Sequence, residues 1–515
     1  MLKSKESCSA LATVLRSNSS LKELDVSKNN LQDSGVKKLK NGLENTNCTL
    51  EKLRLSDCSI TEEGYKALAS ALRSNPSHLM ELDLTGNDPG QSGVKELDDL
   101  LQDQRYSLKT LRFLSSPADE ACQYVTGIVG KNPLLLRKLN LSDRKLGDTQ
   151  VNQIAALLQD KHCKLNTLQL NNNSITAVGC AALTSALYSN PSNLIELDLS
   201  ENKLGNTGME KICPLLENTW CRSEKLKLRN CGLTEKSCSA LATVLRSNSS
   251  LKELDISNNN LQDSGVKKLK NGLENTNCTL EKFSLSDCNI SEEGYKALAS
   301  ALRSNPSHLI ELDLTGNDPG QSGVKELTDL LQDQNCQLKT LRFLSPAADE
   351  ACQYVRGIVG KNPLLMRELN LSDHKLGDTG VNQISALLKD KHCKLNTLQM
   401  NNNSITAEGC AALTSAFNSN PSNLIELDLS ENKLGDSGME KICHMLENTQ
   451  CRLEKLKLSD CSIREEGYKA LASALRSNPS HLIEVDLTGN DPGQSGVKEL
   501  DDLLQDGHYK LKNIR

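Results

Sequence analysis

Aromatic side chains are scarce, at 3% of the 515 residues, with a single tryptophan, Trp220. A tight interface anchored by buried Trp, Tyr and Arg is therefore not what this chain is built to offer. Positive charge is not in excess either. At a net charge of −6, no global field draws the chain onto nucleic acid or an anionic membrane. No apolar run approaches the ~18 residues of a membrane span. The amino terminus, Met1-Leu-Lys-Ser-Lys-Glu-Ser-Cys, lacks a hydrophobic signal core. We expect a cytoplasmic protein with no membrane span and no nucleic-acid partner. Catalytic motifs are missing as well: no G-x-x-x-x-G-K-[ST], no G-x-G-x-x-G after a strand, no G-x-S-x-G and no H-E-x-x-H. The recurring Gly-Asn-Asp-Pro-Gly-Gln-Ser-Gly at 86–93, 316–323 and 489–496 lacks the lysine or hydroxyl of a phosphate loop and reads as turn chemistry. Neither an enzyme nor a cofactor is expected.

What the sequence does hold is one pattern, L-x-x-L-x-L-x-x-N/C-x-L, seventeen times at a spacing of 28 or 29 residues. It starts at Leu21, Leu50, Leu79, Leu108, Leu136, Leu165 and Leu194, then at the variant Ser223. It resumes at Leu251, Leu280, Leu309, Leu338, Met366, Leu395, Leu424, Leu453 and Leu482, and an eighteenth start at Leu511 stops at Arg515. The period identifies an α/β leucine-rich-repeat solenoid. In the first full repeat, Leu24 and Val26 alternate with Glu23, Asp25 and Ser27, as in a strand with one buried face. Asn29 turns the chain where a side-chain amide can bond backbone groups of its own repeat and its neighbour. Asp33 and Ser34 suit the N-cap of a helix whose buried stripe is Val36, Leu39 and Leu43; Tyr65, Leu68 and Leu72 follow at the same offsets. Segments such as Ser74-Asn-Pro-Ser77 end the helices. With strands ~4.8 Å apart and helices needing ~10 Å, each repeat should rotate by roughly 20–30°. That predicts a horseshoe, with parallel strands on the concave face and helices on the convex one.

Nineteen cysteines invite a disulfide reading that their placement opposes. Cys58, Cys231, Cys288 and Cys461 hold the N/C position of the repeat. Cys48, Cys163, Cys221, Cys278, Cys336, Cys393 and Cys451 lie two residues before a repeat start, and within each set no two fall in consecutive repeats. Equivalent positions two repeats apart are roughly 10 Å apart, beyond the ~7 Å a bridge can span. Small buried residues in a reducing compartment fit better. His162-Cys163 and His392-Cys393 lack the spacing of a zinc site, so no metal is expected.

Eight repeats form a larger unit that returns at an offset of 230, Ser7–Leu21 reappearing at Ser237–Leu251; His481–Asp506 matches His78–Asp103. We expect one solenoid over 1–515: a partial repeat (1–20), an eight-repeat block (21–250), its duplicate (251–480) and a further repeat with a truncated end (481–515). Neither end carries a polar cap, so the sequence reads as part of something larger. Core differences between copies are mild: Val26 becomes Ile256, Leu53 Phe283, Leu170 Met400. On or near the strands charge changes: Arg54 becomes Ser284, Lys138 Glu368, Arg229 Ser459. Two repeats are weak. At Leu108 and Leu338, Ser116 and Pro346 stand where Asn is expected, and Arg144 and His374 replace it in the repeats that follow. A differently built turn explains this, with a binding site as the second reading.

The outward strand positions give the candidate binding face, rung by rung. The first block offers Glu23/Asp25, Lys52/Arg54, Glu81/Asp83, Thr110/Arg112, Glu196/Asp198 and Lys225/Lys227. The second offers Glu253/Asp255, Glu311/Asp313, Thr340/Arg342, Glu426/Asp428 and Lys455/Lys457. Acidic and basic rungs largely alternate, so opposite charges face each other across the ladder. The sheet is then either self-neutralised or a surface that reads a ligand.

The repeat unit, with stretches such as Leu194-Ile-Glu-Leu-Asp-Leu-Ser-Glu-Asn202 and Thr61-Glu-Glu-Gly-Tyr-Lys-Ala-Leu-Ala-Ser-Ala-Leu72, resembles the ribonuclease-inhibitor class of leucine-rich repeat. It is similar in particular to the repeat region of the NACHT-domain (NOD-like) receptors expanded in bony fish. The resemblance implies an innate-immune sensor and autoinhibitory arm, whose partner is a ligand protein or the receptor's own NACHT module, missing from this chain. Many fish members also carry a SPRY domain after the repeats; we expect neither module within residues 1–515. The alternative is a free-standing inhibitor in the manner of ribonuclease inhibitor. That reading wants a sustained acidic concave face dotted with aromatics.

Overall fold

A computed structural model describes residues 5–17, 20–190, 194–218, 221–247, 250–421, 423–478, 481–505 and 509–515; Trp220 lies outside them. The chain divides into two compact units, Met1–Ser284 and Leu285–Arg515. The first unit contains β1 (Glu23–Asp25), β2 (Lys52–Arg54), β3 (Glu81–Asp83), β4 (Thr110–Arg112), β5 (Lys138–Asn140), β6 (Thr167–Gln169), β7 (Glu196–Asp198), β8 (Lys225–Lys227), β9 (Glu253–Asp255) and β10 (Lys282–Ser284). The second contains β11 (Glu311–Asp313), β12 (Thr340–Arg342), β13 (Glu368–Asn370), β14 (Thr397–Gln399), β15 (Glu426–Asp428), β16 (Lys455–Lys457), β17 (Glu484–Asp486) and β18 (Asn513–Ile514). Helices of 12 to 14 residues, such as Gln32–Leu43, Glu62–Ser74 and Ser116–Val129, follow the strands. Each unit is thus an α/β leucine-rich-repeat stack, one layer of strands against one of helices.

Neighbouring strands pair in parallel with like positions opposed: Glu23 faces Lys52, Leu24 faces Leu53 and Asp25 faces Arg54. The buried side of each repeat is as its period requires. Leu53, Leu55, Ile60 and Leu68 are at most 1% exposed. Tyr65 is fully buried, and its hydroxyl donates to Leu84 O at 3.2 Å, which satisfies the one polar atom that burial would strand. Helices pack closely enough that a Cβ on Gly93 would sit 2.9 Å from Tyr65 Cβ. At Gly86 the turn itself demands glycine, since φ is +80° and a Cβ would lie 2.1 Å from Asp57 Oδ1.

Asparagines stitch the repeats together. Asn87 Oδ1 accepts the N–H groups of Cys58 (2.9 Å) and Ile60 (3.1 Å) in the preceding repeat. Its Nδ2 donates to Leu55 O and to Leu84 O, each at 2.8 Å. One side chain therefore pairs four backbone groups of two repeats in a site 2% exposed. Cysteine at this position keeps half of the role: Cys58 Sγ donates to Val26 O (3.3 Å) and Ser56 O (3.4 Å). A second asparagine works at the other end of the repeat. Asn75, read from sequence only as part of a helix stop, donates to Leu43 O, Asn45 O and Cys48 O of the repeat before it.

Asp33 does not cap its own helix, where Leu31 is the N-cap and no side chain bonds the end. It accepts instead from Thr61 N (2.8 Å), Thr61 Oγ1 (2.7 Å) and Gly64 N (3.0 Å), at the start of the next helix. Asp148 does the same for Thr176 and Gly179. Burial works to raise the Asp148 pKa, and these bonds outweigh it, holding the carboxyl below its ordinary value. The residue type was right for a cap, but stacking hands it to the neighbouring repeat.

The two weak repeats interrupt the ladder. β1 to β4 form one run and β5 begins another; in the second unit β11 pairs β12, while β13 starts the run that ends at β18. At each break the helix starts at the very residue where Asn is expected, as Ser116–Val129 and Pro346–Val359. It ends on a left-handed glycine, Gly130 or Gly360, ahead of a 3-10 turn, Pro133–Leu135 or Pro363–Leu365. The turn is built differently, as the first reading had it. Contacts that skip a repeat tie the break together. Arg137 Nη2 reaches Gln91 Oε1 and Arg367 Nη2 reaches Gln321 Oε1, both at 3.4 Å, and His392 Nε2 lies 2.9 Å from Asn317 O, 75 residues away.

No disulfide joins the nineteen cysteines, all of which are described, and only Cys336 is not buried. Burial pushes thiols such as Cys231 and Cys410 up to about 12. Native protein should therefore react with iodoacetamide first at Cys336, and a Cys336→Ser variant should lose that fast phase; a second fast-reacting thiol would contradict the burial. Asn87→Ala, which strands the N–H groups of Cys58 and Ile60 and the carbonyl of Leu55, should destabilise the first unit by about 3 kcal/mol or more in a urea melt.

Candidate functional site

The outward strand residues separate into four runs. β1–β4 carry Glu23, Asp25, Lys52, Arg54, Glu81, Asp83 and Arg112, and β7–β9 carry Glu196, Asp198, Lys225, Lys227, Glu253 and Asp255. In the second unit β11–β12 carry Glu311, Asp313 and Arg342, and β15–β16 carry Glu426, Asp428, Lys455 and Lys457. Each run shares one ladder; the breaks after β4 and β12 keep the ladder from being continuous through a unit.

Within a run the two outward positions do different work. At the first, Glu and Lys form the ion pairs: Lys52 lies 3.2 Å from Glu23 and 3.8 Å from Glu81, and Lys225 3.2 Å from Glu253. Lysines at the second position reach back diagonally, Lys227 to Glu196 (3.2 Å) and Lys457 to Glu426 (2.8 Å). Burial acts to lower the Lys227 pKa, and Glu196 more than offsets it. The aspartates at the second position belong to the turn instead. Asp25 accepts the N–H of Ser27, Asp83 that of Thr85, Asp198 that of Ser200 and Asp255 that of Ser257, each at 3.0 Å. Hydrogen bonds from Ser27 are the main reason the Asp25 carboxyl sits below its ordinary value, and Arg54 contributes least.

Direct neutralisation of Asp25, Arg54, Asp83 and Arg112 by one another is therefore not what the strand face shows. Among the described residues, Arg54 and Arg112 have no carboxylate within 4.0 Å. Arg112 acts on Asp119 of its own repeat's helix, whose pKa is raised by burial and lowered again by this guanidinium. Lys52 and Lys227 are committed to internal pairs, the aspartates to turns, and Arg54, Arg112 and Lys455 are left facing outward. Among the described residues no three His, Cys, Asp or Glu side chains converge to hold a metal ion, and no helix is long and apolar enough to cross a membrane.

A further group escaped the sequence reading. Across the second unit's break, two adjoining cavities of about 570 and 560 Å³ share Thr328, Arg356 and Asn362. The signal lies in the duplicated copies, where Asp98 and Thr126 occupy these places on the helices, away from the core and strand positions at which the other differences stand out.

The repeat geometry has known counterparts. Ribonuclease inhibitor of Mus musculus is 34% identical over 324 residues, 62% of this chain and 70% of that protein. The chain belongs to the ribonuclease-inhibitor type of leucine-rich-repeat protein. The family model described as "Leucine Rich repeat" matches residues 17–40, 46–69, 161–183, 190–213, 247–270, 276–299, 364–385, 391–413 and 420–443. Ribonuclease inhibitor of Sus scrofa is 35% identical over 299 residues, 57% of this chain and 52% of that protein. NACHT, LRR and PYD domains-containing protein 12 of Mus musculus is 33% identical over 293 residues, 57% of this chain and 27% of that protein. The chain thus spans about half the length of the pig inhibitor and about a quarter of the NACHT protein. Homology to ribonuclease inhibitor and to NACHT, LRR and PYD domains-containing proteins is consistent with a protein-binding repeat surface.

Exposed pairs of this kind are worth a few tenths of a kcal/mol each. Lys52→Glu, which sets three carboxylates on adjacent rungs, should destabilise the first unit by about 1 kcal/mol at low salt. That loss should shrink by about half at ~0.5 M salt, where charges on neighbouring rungs are screened. Arg54→Glu should cost less, because no ion pair is broken. Urea melts of both at two ionic strengths check this, and equal losses would mean that Arg54 is coupled after all.

Proposed function

We propose that this chain is the ligand-sensing and autoinhibitory arm of a cytosolic innate-immune receptor of the NOD-like kind, binding protein through its strand face and performing no chemistry. One observation carries the reading. The outward strand positions include charged groups that form no ion pair among the described residues, Arg54, Arg112 and Lys455 foremost, between rungs whose own charges are matched. A face so arranged is near neutral overall and specific in detail, which suits recognition of a folded protein more than clasping of a basic enzyme. The thiol-rich, disulfide-free interior supports a reducing, cytosolic setting. Homology to NACHT proteins supports a NACHT module as the partner, with no nucleic acid involved.

Ribonuclease inhibitor is the other relative, and its name gives the competing reading a direct assay. The chain is expected to leave pancreatic-type ribonuclease activity unchanged at micromolar concentration, and to bind a co-expressed NACHT module. Reversing Arg54 and Arg112 to Glu should weaken that association by about tenfold or more. Ribonuclease inhibition, or a NACHT association indifferent to both reversals, would overturn the assignment.

A further inference from the structure

The break in the second unit does something a leucine-rich repeat ordinarily prevents: it leaves strand edges open. In an intact part of the ladder, Lys52 N donates to Lys22 O and Leu55 N to Asp83 O. Among the described residues no such bond joins β12 to β13. Both edges instead line the paired cavities. One is bordered by β12 and its flanks, Lys339 to Leu344, the other by Leu365 to Glu368 at the start of β13. An unpaired edge of N–H and C=O groups is a template for an added strand.

The charge around this opening runs against that of the chain. The first cavity has Arg356, Lys361 and Arg367 against Glu368, and the second has Lys339, Arg342 and Arg356 against Asp349. Five cations thus face two carboxylates in a protein of net charge −6. Among the described residues none of the five has a carboxylate within 4.0 Å. The Asp349 carboxyl is pushed up by burial, with Gln353 and Arg342 acting against it. Apolar contact is provided too. Leu331 and Leu365 are 39% and 38% exposed, one in each cavity.

The first block shows the same break with different residues at its centre. There Asp98 replaces Thr328, and its carboxylate accepts from Asn132 Nδ2 (2.9 Å) and Gln102 Nε2 (2.8 Å). Thr126 stands where Arg356 does. A buried acid at the centre repels an incoming carboxylate, and the central cation is absent.

We propose that the opening between β12 and β13 binds an extended acidic peptide. Its backbone adds to the free edge of β12, its carboxylates face Arg342, Arg356 and Arg367, and an apolar side chain rests on Leu331 or Leu365. Open edges and leucines favour a peptide over nucleic acid, whose bases need aromatic platforms that are scarce here. The site shares only Arg342 of β12 with the strand-face runs and does not depend on the receptor reading.

The probe is a fluorescein-labelled peptide, Glu-Glu-Leu-Glu-Val-Glu-Glu, titrated against the full chain by anisotropy. One peptide should bind per chain, more weakly as salt rises. Thr328→Asp with Arg356→Thr, residues the first block already accommodates, should weaken binding by about tenfold or more, as should Arg356→Glu with Arg367→Glu. Methylating alternate peptide nitrogens should cost a similar factor by removing strand pairing. Lys236→Glu, on the exposed side of the helix Glu235–Arg246, should change nothing. No binding, binding indifferent to the Arg356 variants, or undiminished binding of the methylated peptide would each overturn the proposal. So would a twelve-residue oligouridine that binds more tightly and depends on the same arginines.

Discussion

The rest of this structure depends on a buried side-chain amide that closes the turn after most of the strands. A tight turn inside a stack leaves N–H and C=O groups with no water to meet them, at a cost of about 1–3 kcal/mol for each one stranded. Asn87, Asn173, Asn202, Asn259, Asn317, Asn403 and Asn432 settle that cost by serving two repeats at once. The amide has both a donor and an acceptor, which is why Cys can share the position but not fill the role: Cys58 donates through sulfur to the preceding repeat and offers no amide oxygen to that repeat's N–H groups, while its own N–H and that of Ile60 go to Asn87 of the next repeat. Spacing such cysteines between asparagines keeps each turn served from one side.

Where the amide is missing on both sides, the ladder fails. The turn of the repeat at Leu108 would be received by the residue at 144, and that residue is Arg; for Leu338 it is His374. Neither repeat supplies an Asn of its own, Ser116 and Pro346 having started a helix instead. A proline at the first turn of a helix needs no N–H partner, so Pro346 is comfortable where it would have been ruinous in the ladder. The stack recovers one repeat later, when Asn173 accepts from Arg144 N and Leu146 N. Interruption is thus confined to a single step, and the cavities of the second unit lie at that step.

Much of this was legible in the sequence because the repeat is local. Val36, Leu39 and Leu43 announce a buried helical stripe within eight residues, and the strand alternation from Glu23 to Ser27 within five. What could not be read belongs to the stacking direction. Asp33 looks like a cap for the helix it enters, yet the helix it caps begins 28 residues on. Asp25 and Arg54 face each other in register, but the Ser27 N–H claims the carboxylate first, because a hydrogen bond two residues away is worth more than an exposed charge across a rung. Asn75 looked like loop composition until the preceding helix end was placed against it.

The duplicated block gives a controlled comparison that evolution has already carried out. Helices Ser116–Val129 and Pro346–Val359, the turns after them and the skip-repeat contact from Arg137 or Arg367 are the same in both copies. The scaffold therefore did not need Asp98 or Thr328, Thr126 or Arg356, in particular. Freed from the scaffold, these positions differ by two charges in the same direction, from an acid held by Asn132 to a neutral hydroxyl and from a neutral hydroxyl to a guanidinium. The reversal from Lys138 to Glu368 offsets the total and leaves the centre of the opening positive and its β13 rim negative. A change that conserves net charge while separating it is what a binding site acquires and what a purely structural turn has no use for.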